Sequence, residues 1–205
     1  MTALTLFMRI FGCLSFGLLA LGMTNDSHAE EPCGFYPENV HDVDGYLGWS
    51  PCLLKDQGER PIWKHFPKKQ KRISRFVFLE GHNAFFRFVV VRETLDGTGE
   101  IKTGGANNPE WRPIRLRRSP LSAQQISELN ALAARSGTWD HDVGSWDGDE
   151  VFVDCEILEM EMATASEYKF SSVNIGCNRP EALMPFIDEV VRLAGMQLTD
   201  DGRYR

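Results

Sequence analysis

Between Trp139 and Glu150 the chain reads WDHDVGSWDGDE, in which Asp140, Asp142, Asp147, Asp149 and Glu150 crowd a segment punctuated by Gly144 and Gly148. Clustered carboxylates point to binding of a hard cation or to proton transfer between two acids. Calcium takes roughly six to eight oxygen ligands, and an EF-type loop needs an acid at its fifth position, glycine at its sixth and glutamate at its twelfth. Counted from Asp140, those positions hold Gly144, Ser145 and Val151, so the motif is absent. A looser oxygen site built from Asp140, Asp142, Asp147 and Asp149 stands as the candidate metal site. The competing expectation is a solvated connection, with Trp139 and Trp146 as its anchors into the core.

Catalytic signatures are sparse. Asp147 and Asp154 are a pair that acid–base hydrolysis of a glycan would use. The sequence has no G-x-S-x-G, no H-E-x-x-H and no phosphate loop. His41, His65, His82 and His141 each lack a nucleophile-type partner nearby, and the acids around His141 do not have the usual zinc spacing. No cofactor is implied, and binding is a better expectation than catalysis.

The basic residues give the second candidate. Four segments, ISRFVFL, AFFRFVVVRETL, GEIKT and RPIRLRR, are strand-like, the first two being especially dense in β-branched and aromatic side chains. Strict alternation that turns Phe76, Phe78, Phe86, Phe88, Val90, Ile101, Ile114 and Leu116 toward the helices sends Arg75, Arg87, Lys102, Arg115 and Arg117 to the opposite face. Val77, Leu79, Val89 and Val91 would share that face. Guanidinium forks suit phosphate or carboxylate groups, and Trp111 would add a stacking surface. The competing expectation is that Asp154, Glu156, Glu93 and Glu100 neutralise these cations across strands.

The elements that must position these residues follow from local pattern. Residues 30–72, rich in Gly, Pro and Trp without a sustained period, read as an irregular arm. Residues 73–196 read as one α+β domain: a four-strand antiparallel meander with a turn at Asp96-Gly97, a helix, a C-terminal hairpin and a second helix, both helices packed on one face. Ser122 and Gln125 form a capping box, Leu121 and Ile126 a staple, and Gly137 a stop for the first helix. The second starts near Pro180, with Pro185 delaying or kinking it. Residues 197–205 read as a frayed tail.

The N-terminus bounds the compartment. Arg9 precedes an apolar run, IFGCLSFGLLALGM, and then Ser27-His28-Ala29, the order of a signal peptide (residues 1–29) cleaved after Ala29. The run falls short of the roughly 20 residues that span a bilayer, so no transmembrane segment is expected after cleavage. A periplasmic or secreted chain can oxidise Cys33, Cys52, Cys155 and Cys177. In the hairpin, pairing Thr164 with Tyr168 sets Met162 opposite Phe170 and Cys155 opposite Cys177, which leaves Cys33 for Cys52. A formal net charge of −7 argues against nonspecific nucleic-acid binding.

From about Lys71 to Ala194, the aromatic strands, Gly-rich hairpin, capped helix, Asp147-Gly148, Phe152, Asp154, Tyr168 and Pro180 resemble an uncharacterised family of exported bacterial α+β domains. Cys155 and Lys169 depart from that pattern, where Gly and His are usual. The resemblance implies export and the fold, and transfers no activity. Three functions follow as expectations: a non-enzymatic domain that binds an anionic envelope component, a carboxylate-dependent hydrolase acting on envelope material, or a structural or inhibitory domain that binds another envelope protein.

Overall fold

The computed structural model describes residues 33–40, 50–64, 66–80, 85–107, 112–140, 142–148, 152 and 155–197. The expected signal peptide lies outside the described residues, as does nearly all of the expected tail. No described helix is long and apolar enough to cross a membrane.

The chain forms an α+β fold around one mostly antiparallel sheet. After a 3-10 turn, Glu38–Val40, and α1 (Ser50–Asp56) come β1 (Gln70–Leu79), β2 (Phe85–Thr94) and β3 (Gly99–Asn107). The short strands β4 (Arg112–Pro113) and β5 (Arg117–Leu121) precede α2 (Ala123–Ser136) and β6 (Val143–Ser145). β7 (Ile157–Ala163), β8 (Tyr168–Val173) and α3 (Met184–Ala194) complete the order. The strands run β4-β3-β2-β1-β7-β8-β6, with β5 also paired to β3 and β6 parallel to β8.

The meander and hairpin are therefore parts of a larger sheet, with eight strands and three α-helices among the described residues. The expected fourth strand splits into β4 and β5, because Arg115 and Leu116 leave β3 between Ile114, whose N–H still donates to the Gly105 carbonyl, and the pair Thr103–Arg117. β3 itself continues through Gly104 and Gly105, which read as a loop exit. A Cβ at Gly104 would come within 2.5 Å of Leu116 Cδ2, and Gly105 has φ +152° beside the Phe86 carbonyl. These glycines are strand residues chosen for close approach.

α2 carries the expected capping box at Ser122 and Gln125 and ends at Gly137, which has φ 69°. α3 begins late, with Pro185 in its first turn, where a missing N–H costs no helical bond. Both helices pack on one face of the sheet, over Phe76, Phe78, Val89, Val91, Ile101, Leu158 and Met160.

The other face is buried as well, where the alternation argument left an open surface of basic and apolar residues. Ile73, Val77, Leu79, Phe86, Phe88, Val90 and Ile157 lie there beneath the arm, which contributes Phe35, Tyr36, Val40, Leu54 of α1 and Ile62. The arm is thus a second covering layer that contains a helix. β2 alternates oppositely to expectation: Phe76 pairs with Val89 and Val77 with Phe88, so Phe86, Phe88 and Val90 face the arm. A strand buried on both faces reads as a continuous apolar run and conceals its phase.

Disulfides join Cys33 to Cys52 and Cys155 to Cys177, with Cα separations of 5.3 and 5.7 Å. The hairpin register differs by one residue from that expected, since Met162 pairs with Lys169 and Ala163 with Tyr168. The cysteines meet beyond the strands, where Ile175–Cys177 form a turn and Gly176 N–H donates to the Glu156 carbonyl.

Candidate functional site

Where Arg115 and Leu116 leave β3, a groove of about 750 Å³ lies between the sheet edge and the end of α3. Arg87, Arg115, Arg117 and Arg118 line it together with Leu116 and Met196. Arg87 is held firmly. Its Nη1 donates to the carbonyls of Phe86 (2.9 Å) and Ala106 (3.1 Å), and its Nη2 to Asn107 Oδ1 (2.7 Å). Arg118 approaches Glu100 at 3.3 Å in an exposed pair. Arg115 and Arg117 are exposed, and their side chains make no hydrogen bond or ion pair among the described residues. Exposed guanidinia without a nearby carboxylate retain their capacity to bind an anion.

Arg75 and Lys102 occupy a different place. Arg75 is fully buried under the arm, its Nη1 2.9 Å from Glu161 and its Nε 3.9 Å from Glu59. Its Nη2 donates to the Arg60 carbonyl at 2.6 Å. Lys102 is buried and ion-paired to Glu59. The acids expected to neutralise the cations have other partners: Glu93 binds Lys71 at 2.8 Å, and Glu100 pairs with Arg92 and Arg118. Glu156 is buried, and Trp111 and Asp154 lie outside the described residues.

The network beneath the arm continues from Glu161 to Glu159. Glu159 accepts from Tyr36 Oη at 2.7 Å and Ser50 Oγ at 2.9 Å, and Glu161 accepts from Tyr168 Oη at 3.1 Å. Burial raises the Glu161 carboxyl above its usual range despite Arg75, which acts in the opposite direction. Burial, followed by the negative charge of Glu159, raises Tyr36 well above its ordinary value. These contacts join the arm to the sheet in a closed, buried network.

The acidic loop is divided among separate partners. Asp147 is buried and accepts from Asn174 N–H (2.8 Å), Asn174 Nδ2 (2.7 Å) and Asn178 Nδ2 (2.8 Å). It ties the loop to the segment after β8, so its oxygens are already engaged. Asp142 pairs at the surface with Lys169 at 2.7 Å, and that hydrogen bond and charge hold its carboxyl below the usual range. Asp140 is exposed, while Asp149, His41, His65, His82 and His141 lie outside the described residues. Among the described residues no group of three or more His, Cys, Asp or Glu is arranged to hold a metal.

No family model matches the chain. Comparison with curated proteins likewise finds no match. The site must therefore be judged on its own chemistry. Arg118, the last residue of RLRR, was not among the cations that alternation set on the basic face. Gly195 marks the end of α3, but nothing local signalled that Met196 beyond it lines the groove. Glu159 and Glu161, two apart in EMEM-type alternation, carried a sequence signal for a shared face; Glu59, in an irregular arm, carried none.

Proposed function

We propose that this is an exported, periplasmic or secreted domain that binds an anionic envelope component without catalysing a reaction. The groove carries the reading: in a chain of net charge −7, Arg87, Arg115, Arg117 and Arg118 converge on one open depression. Arg87 supplies a fixed positive charge on the sheet, and Arg115 and Arg117 supply forks that an incoming phosphate or carboxylate would engage. Export is supported by two disulfides, which persist in oxidising compartments, and by the signal-like N-terminus. The resemblance to exported bacterial domains is in keeping with it.

The hydrolase alternative gains nothing from Asp147, whose carboxylate is filled by amide donors. Titration with dextran sulfate, a soluble polyanion, tests the proposal. Binding should weaken steeply as salt rises, because exposed charges are screened over roughly 10 Å at 0.1 M salt. Absence of binding at low salt would refute it.

A further inference from the structure

We infer that the arginine-bearing edge docks on a membrane containing anionic phospholipid, an inference that rests on the groove recognising anions at all. Its starting point is Leu116, 42% exposed and one of three large exposed hydrophobics among the described residues. Leu116 lies between Arg115 and Arg117, with Arg118 beside them and the half-buried Ile114 and Met196 on the same groove. A soluble polyanion would use only the cations. A bilayer surface uses both kinds of side chain: phosphates meet the guanidinia, and the acyl boundary just below receives the apolar groups.

The charge distribution also sets orientation. A chain of net charge −7 is repelled from an anionic surface except where its basic edge leads. The contact is peripheral, made by one edge of the sheet. Leu116 does cover Gly104. That packing leaves much of the side chain in water, as its exposure shows, and a hydrophobe presented among arginines at an open edge is what an interfacial contact requires.

The test is co-sedimentation with vesicles of phosphatidylglycerol and phosphatidylcholine, against phosphatidylcholine alone, with dextran sulfate as the soluble probe. The wild-type protein should bind only the anionic vesicles. Each Arg near an anionic surface is worth about fivefold in partitioning, so Arg115→Glu with Arg117→Glu should reduce binding by at least about 25-fold. Leu116→Ser should weaken vesicle binding and Leu116→Trp should strengthen it, as Trp favours the lipid interface; neither should alter binding to dextran sulfate. Binding to dextran sulfate but not to vesicles, or vesicle binding indifferent to both Leu116 changes, would overturn membrane docking while leaving anion recognition intact. Binding to neither probe would remove both readings.

Discussion

Arg75 on β1 and Glu161 on β7 face one another across the sheet, with Nη1 and Oε1 2.9 Å apart and neither side chain more than 2% exposed. A buried pair of this kind adds little net stability but is costly to break, because the surviving charge has no water to solvate it. Arg75→Met is expected to destabilise the oxidised protein by roughly 3–5 kcal/mol. Arg75→Met with Glu161→Leu should cost much less, which urea unfolding of the single and double variants would measure.

The same carboxyl gives a pH dependence. Burial raises the folded value of Glu161 above that of the unfolded chain, so its contribution is fully present below the unfolded value and is lost as pH rises through the folded one. Glu161→Gln lacks that loss. The stability of wild type relative to Glu161→Gln should therefore fall over the pH range that opens at the unfolded value, about 4, and closes at the raised folded one. Unfolding free energies of the two proteins across that window check the sign.

Gly104 couples the sheet to the groove. Its missing side chain admits Leu116 and the Phe88 ring, and an added Cβ would meet both. Gly104→Ala should cost about 1–3 kcal/mol as an overpacked site and, by displacing Leu116 together with the flanking Arg115 and Arg117, weaken binding in the groove. Thermal melts and dextran sulfate titration of the same variant would read the two effects.

Asp147 acts as a clamp in this account. Asp147→Ala leaves the Asn174 N–H and two side-chain amides without their acceptor, and should destabilise by about 3 kcal/mol. Millimolar calcium should leave the melting temperature of wild type and variant unchanged. A calcium-dependent rise in the wild type that disappears in Asp147→Ala would restore the metal reading, because a ligand at about 100 times its dissociation constant adds roughly 2.7 kcal/mol.

Sequence alone revealed most local devices: the Ser122–Gln125 box, the Gly137 stop, the Asp96-Gly97 turn and both cysteine pairings. What it concealed was phase. FFRFVVV is apolar on both sides because the arm covers the face that was expected to be open, so nothing in β2 distinguishes one alternation from the other. Arg75 and Lys102 accordingly moved under the arm, while Arg87, Arg115 and Arg117 stayed together at the groove. The correct Cys155–Cys177 pairing survived a one-residue error in register because the cysteines lie beyond the strands, where a turn absorbs the offset.

The central claim is that anion binding resides in the groove rather than in overall charge. Two double reversals with the same change in net charge separate these possibilities: Arg115→Glu with Arg117→Glu in the groove, and Lys55→Glu with Lys68→Glu at exposed positions on the arm. Dextran sulfate titrations at low salt should show binding lost in the groove variant and largely kept in the arm variant. Equal losses in both, or none in either, would contradict the assignment of this groove as the binding site.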